Sequence, residues 1–190
     1  MLPGAYSFEL GIYLPYDFER VPTVAADNPV VGDRILFGPV KVPRPAVKLP
    51  ADSVPVKIVL GAELELIGYR VDALPTASQP LQLTLWWRGV RPAAEDWTAF
   101  FHLTPLGNDH ELLGQMDQAL TAHAYPPPVW SPGEVVVDYV QIIAANLAAG
   151  SYAGWMGMYS PLAQVRVIIA AETVAVSEDR ARLLELQLAP

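Results

Sequence analysis

The 190-residue chain contains no cysteine. Disulfides, thiolate zinc centres and cysteine nucleophiles are excluded together, while the redox compartment stays open. Basic residues are scarce: twelve Lys and Arg against twenty Asp and Glu give a formal charge of −8, with no cluster of the kind phosphate binding requires. Nucleic acid is not an expected partner. No apolar run reaches the roughly 18 residues that span a bilayer, because Gly, Pro or charge interrupts each, and no stretch is laid out like a secretory leader. As given, the chain is expected to be soluble and not to insert into a membrane. A Gly-x-Ser-x-Gly elbow is missing, and no other catalytic or cofactor motif is present. No cofactor is expected.

What is present is apolar and turn-rich. With 52% apolar residues and 17% charged, the length suits one domain, or one domain plus a fragment, with a substantial core. Nineteen prolines and thirteen glycines punctuate short apolar runs, which argues for many strands and tight turns. The stretch from Leu81 to Leu103 carries the clearest signal. Leu81, Leu83, Leu85 and Trp87 alternate with Gln82, Thr84, Trp86 and Arg88; Trp97, Ala99, Phe101 and Leu103 alternate with Thr98, Phe100, His102 and Thr104. Two antiparallel strands joined across residues 89–96 are expected, with both apolar rows turned to one core.

The two ends of the chain match each other. Residues 4–42 align without a gap on 150–188, and eleven pairs are identical: Gly4/Gly150, Tyr6/Tyr152, Gly11/Gly157, Tyr13/Tyr159, Pro15/Pro161, Arg20/Arg166, Val21/Val167, Ala25/Ala171, Val30/Val176, Asp33/Asp179 and Arg34/Arg180. Chance would supply roughly two or three. Each copy reads as a strand, a Pro-containing turn, a variable loop and a closing strand. Helical spacing also fits 177–188, but the first copy there has Gly, Pro and β-branched residues, so a strand is expected in both. Residues 1–42 are then the C-terminal hairpin of a preceding repeat, 43–55 a Pro-rich linker, and 56–190 a sandwich of seven or eight strands. The hairpin's apolar row of Tyr6, Phe8, Leu10 and Ile12 should dock, adding strands to the sandwich of its own or a neighbouring chain.

The sequence Phe100-x-His102-Leu103, Gln115-x-Asp117, Trp130-x-Pro132-Gly133-Glu134, Asp138, Gly150-x-Tyr152 and Gly157-x-Tyr159 resembles a β-sandwich module at the C-terminal, non-cytoplasmic end of bacterial (Chloroflexus-type) membrane glycosyltransferase-like proteins, often in tandem. The likeness covers 60–188, with 2–42 as the tail of a preceding module. Pro127 stands where Thr is common and Ser160 where an acidic residue is frequent. The resemblance implies an extracytoplasmic part of a membrane-tethered protein near glycans, and carries no activity with it.

Three sets of side chains are candidates for chemistry. Trp86, Tyr125 and Trp130, with Arg88 beside them, would make a shallow glycan platform if their faces are exposed, since aromatic rings stack on sugars. The alternative is that Trp130 plugs the sandwich end and Trp86 packs under a loop. His102 and Asp117 could lie side by side on neighbouring strands, as an orienting or acid–base pair or as a structural hydrogen bond. Asp109, His110, Glu111 and His123 do not have forced metal-ligand spacing, so no metal site is expected. The corner groups Arg20, Asp33, Arg34 and their counterparts read as architectural ion pairs, and Trp155, Met156 and Met158 as core.

The resulting expectation is an all-β antiparallel sandwich, immunoglobulin-like or jelly-roll-like, acting as a non-enzymatic accessory or interaction module. A carbohydrate-binding module is the second reading, and a hydrolase using His102 and Asp117 the third. A glycan, and a further copy of the chain through the N-terminal hairpin, are the partners this allows.

Overall fold

The computed structural model describes residues 4–25, 28–76, 79–144 and 147–189, so part of the loop expected at 74–80 lies outside the described residues. The chain divides into two compact units, 1–44 and 45–190. The first holds β1 (Gly4–Leu10), β2 (Thr23–Ala25), β3 (Asn28–Gly32) and β4 (Ile35–Val42). Here β1 pairs antiparallel with β4, and β2 with β3, as two separate two-stranded sheets.

The second unit is an antiparallel sandwich. Its strands are β5 (Val54–Leu60), β6 (Leu64–Ala73), β7 (Leu81–Gly89), β8 (Thr98–Pro105), β9 (Gly114–Ala119), β10 (Val135–Ile142), β11 (Gly150–Tyr159), β12 (Ile169–Ala171), β13 (Val176–Ser177) and β14 (Arg180–Leu188). One sheet has the order β10-β7-β6-β5-β12 and the other β13-β14-β11-β8-β9. The short strands β12 and β13 bring the total above the seven or eight expected. Residues 180–188 are strand, as the match between the two chain ends requires.

Local chemistry sets the turns and the faces. Gly61 and Ala62 both have positive φ, 59° and 58°, the geometry of a type I′ turn, which matches the twist of the β5–β6 hairpin it closes. Leu81, Leu83, Leu85 and Trp87 on β7, and Ala99, Phe101 and Leu103 on β8, are all buried in one core with Ile58, Leu64, Leu66, Val136, Val140, Met156 and Met158. The expectation of a β7–β8 strand pair is corrected: β7 lies between β6 and β10, β8 between β11 and β9. The two apolar rows therefore meet across the sandwich and not along one sheet. Alternation fixes which face of a strand is inward, and both arrangements satisfy it.

The hairpins β1/β4 and β11/β14 share a register at an offset of 146 residues. Gly4 faces Val42 as Gly150 faces Leu188, Tyr6 faces Val40 as Tyr152 faces Leu186, and Leu10 faces Ile35 as Met156 faces Ala181. The bridges Tyr13–Arg20 and Tyr159–Arg166 correspond, as do the Val21 N–H to Ile12 carbonyl and Val167 N–H to Met158 carbonyl bonds, both 2.8 Å. The bulge alone is displaced, falling between Tyr6 and Phe8 in one and between Gly154 and Trp155 in the other. Among the described residues no helix is long and apolar enough to cross a membrane.

Candidate functional site

The glycan platform is corrected by burial. Trp86, Tyr125 and Trp130 are 3%, 0% and 2% exposed, which leaves no ring face on which a sugar could stack. Trp86 does lie on the outer face of its sheet, but Arg70 stands 5.7 Å over its ring, and the Leu49 side chain fills the space above Gly68, its cross-strand neighbour. The 120–133 loop closes one end of the core. Within it the Trp130 indole N–H donates to the Tyr125 carbonyl at 2.7 Å, the Tyr125 hydroxyl donates to Glu134, and the Ser131 N–H donates to the other Glu134 carboxylate oxygen at 2.8 Å. Glu134 in the Trp-x-Pro-Gly-Glu motif is thus a clamp for the Trp130 plug. Arg88 is paired with Glu65 on the neighbouring strand.

His102 and Asp117 do lie on the same outer face of adjacent strands, offset by two residues. His102 is opposite Gln115, and Asp117 is opposite Phe100. Asp117 accepts from the Tyr159 hydroxyl at 3.2 Å, and His102 packs against the Phe100 ring at 4.9 Å. Burial depresses the His102 pKa from 6.5, the nearby Arg180 guanidinium adds to this, the Asp117 charge opposes it, and Arg166 contributes a smaller lowering. The Tyr159 hydroxyl is raised, first by burial and then by the Asp117 charge. The lowering makes the His102 imidazole a weaker base than a free one.

This shift has a stability consequence. The unfolded chain takes up the His102 proton more readily than the folded one, so stability falls as pH drops below about 6.5 and levels off below the folded pKa. Thermal midpoints of the wild type and His102→Gln between pH 7 and pH 5 should show a shallower decline in the variant. Parallel profiles would contradict the assignment.

The remaining candidates are engaged in ion pairs, hydrogen bonds and ring contacts. Arg20 bridges Glu9 at 2.9 Å and Asp33 at 3.6 Å, and Arg34 bridges Glu9 at 3.2 Å, as exposed corner pairs. In the sandwich, Arg180 is buried, spans the Trp155 ring at 5.1 Å and donates to the Asp109 carbonyl and carboxylate. Trp155 is accordingly an outer-face residue sealed by Arg180, while Met156 and Met158 face the core. Asp109 is engaged by Arg180, and His123 by Asp96 at 2.5 Å. Among the described residues no three His, Asp or Glu side chains group as metal ligands.

The feature that the linear sequence does not reveal is a cavity of about 700 Å³ at the end of the sandwich, where three connections meet. These are the β5–β6 turn, the β7–β8 connection and the β11–β12 loop. Val59, Ala62, Ala94, Trp97, Ala163 and Val167 make its wall largely apolar, and Glu63, Glu95, Ser160 and Arg166 contribute polar groups. Glu63 is buried and ties the first two connections together. Its Oε2 accepts from the Trp97 indole N–H at 2.9 Å and the Ala94 N–H at 3.1 Å, and Arg91 lies 3.3 Å from Oε1. Glu95 accepts from the buried Ser160 hydroxyl at 2.8 Å, and that same Ser160 oxygen accepts from the Ala163 N–H at 2.9 Å. Arg166 lies 4.8 Å over the Phe100 ring.

The fold and this cavity define the class: an all-β antiparallel sandwich with an apolar, carboxylate-edged pocket among its end loops. No family model, curated protein or solved structure matches the chain.

Proposed function

We propose that the chain is a non-enzymatic accessory module that holds a small amphipathic ligand in the loop-end cavity, as an extracytoplasmic part of a membrane-tethered protein. The tethering and the glycan setting rest on the resemblance of the Trp130–Glu134 and Gly150–Tyr159 motifs. The ligand reading rests on one observation, the pairing of an apolar wall with the Glu63 and Glu95 carboxylates in a pocket built from three loops. Such a wall gains ~0.8 kcal/mol for each methylene it takes from water. Glu63 is already paired with Arg91 and Arg166 also lines the cavity, so it is the Glu95 carboxylate, together with the chain's net charge of −8, that favours a head group donating hydrogen bonds, a hydroxyl cluster or an amine, over an anion. His102 and Asp117 support the non-enzymatic reading because they are engaged separately, with Phe100 and Tyr159 respectively.

Calorimetric titration with n-octyl glucoside below its micelle concentration tests this. Binding with a Kd on the order of 0.1–1 mM is expected, with octyl sulfate at least about tenfold weaker and glucose alone giving no heat. Ala163→Trp, at an exposed position on the cavity wall, should fill the pocket and abolish the signal. Equal binding of the two detergents, or binding unaffected by Ala163→Trp, would defeat the reading.

A further inference from the structure

The β1/β4 hairpin reproduces the register of β11/β14, and the sandwich shows what that register accommodates. Along its second edge β11 pairs with β8 over eight residues, from Tyr152 opposite Pro105 to Tyr159 opposite Thr98. The corresponding strand β1 has β4 on one edge, and no strand pairs with its other edge among the described residues. Inward-facing Met156 and Met158 are fully buried, whereas their counterparts Leu10 and Ile12 are 52% and 66% exposed. The same contrast holds for Ala181 and Leu183 against Ile35 and Phe37.

Two further differences have the same cause. In the sandwich β12 pairs with β5, whereas β2, at the identical position in the motif, pairs with β3. The space above Gly157 is occupied by the Phe100 ring of β8, whose Cζ would stand only 2.2 Å from a Cβ on that glycine, and by the Asp179 carbonyl. Above Gly11 the Asp33 carbonyl is the matching neighbour at 3.4 Å, and among the described residues no ring stands where Phe100 stands.

We propose that this hairpin is an acceptor for a second β-body of the β5–β10 type. An edge strand with the alternation of β8 adds along β1 from Phe8 to Tyr13, and the aromatic side chain equivalent to Phe100 covers Gly11. The inner face of the added body covers Leu10, Ile12, Ile35 and Phe37. The occupant is defined by the sandwich itself: it is the set of strands that already completes this motif once in the chain. The inference is independent of the ligand in the loop-end cavity.

The test extends the chain by a second copy of residues 45–149 joined ahead of Gly4, so that Gly4 takes the place of Gly150. Amide hydrogen exchange is then followed in residues 8–13 of the plain and the extended chains. Protection should rise by about 100-fold or more on extension, approaching that of residues 154–159. Gly11→Ala should leave the plain chain unchanged and remove most of the gain in the extended one. Unchanged exchange in an extended chain whose added body is folded, judged by its own protected amides, would overturn the proposal. So would concentration-dependent protection of residues 8–13 in the plain chain, which would give this edge to self-pairing of β1, or protection there on adding phosphatidylcholine vesicles, which would give it to lipid.

Discussion

Trp130→Ala is expected to lower the stability of the sandwich by about 3–5 kcal/mol, the range for removing a large aromatic side chain from a core. For a chain of this size that corresponds to a fall in Tm of roughly 10 °C. The reason is local and cooperative. Trp130 is buried in the core cluster, its indole N–H satisfies the Tyr125 carbonyl, and Glu134 holds Tyr125 and Ser131 on either side of it. Its removal leaves a void at the end of the core and takes a donor from that carbonyl in the loop that closes it. Trp130→Phe keeps most of the volume but loses the donor, and should cost about 1–2 kcal/mol. Thermal or urea unfolding followed by the fluorescence of the remaining tryptophans measures both. A loss below about 1 kcal/mol for Trp130→Ala would mean that the loop is not the plug described here.

The second large effect separates two glycines that occupy equivalent positions. Gly157→Ala places a methyl group 2.2 Å from the Phe100 ring and 2.7 Å from the Asp179 carbonyl oxygen. The ring can turn, but the backbone oxygen belongs to the tight corner preceding β14, so relief requires moving a strand end. A loss of about 2–3 kcal/mol is expected, at the upper end for overpacking. Phe100→Leu in the same chain should restore part of it, and the Asp179 contact should keep the rest. Gly11→Ala meets only the Asp33 oxygen at 3.4 Å and the end of the Arg20 side chain at 3.8 Å, and should stay within about 0.5 kcal/mol. Urea unfolding of the three variants decides the matter. Equal tolerance of Ala at 11 and 157 would contradict the close approach of β8 to β11 at this point.

The sheet character of the chain is legible because alternation is a local property. Leu81 to Trp87 and Ala99 to Leu103 point inward as their spacing demands, and 180–188 form a strand although their composition also suits a helix. Neighbour choice is not legible. A row of alternating apolar residues specifies a face but says nothing of whether its partner lies beside it or across the core, which is why spacing alone places β7 and β8 in one sheet. The aromatic platform fails for a related reason. Trp86 falls on the outward face as its position in the alternation requires, yet outward is not exposed when Arg70 and Leu49 lie over that face.

The loop-end cavity is invisible in the sequence for a different reason. Glu63 meets Trp97 across 34 residues and Glu95 meets Ser160 across 65, and no motif joins either pair. Only the positive-φ turn at Gly61 and Ala62, signalled by a lone glycine between two apolar runs, hints at the geometry of that end. The His102 and Asp117 pairing lies between these cases. Strand order brings the two to one face, but their two-residue offset gives Asp117 to Tyr159 and leaves His102 to burial and the guanidinium groups around it.

The most direct test of the account is a ¹H–¹⁵N spectrum of the full chain titrated with n-octyl glucoside below its micelle concentration. The Trp97 indole N–H, held by Glu63 at the cavity wall, should shift progressively together with the backbone amides of 61–63, 94–97 and 160–168, while the buried indoles of Trp86, Trp87 and Trp130 stay in place. Shifts confined to the β1/β4 hairpin or to the His102 face, with the Trp97 indole unmoved, would show that the cavity is not the binding site.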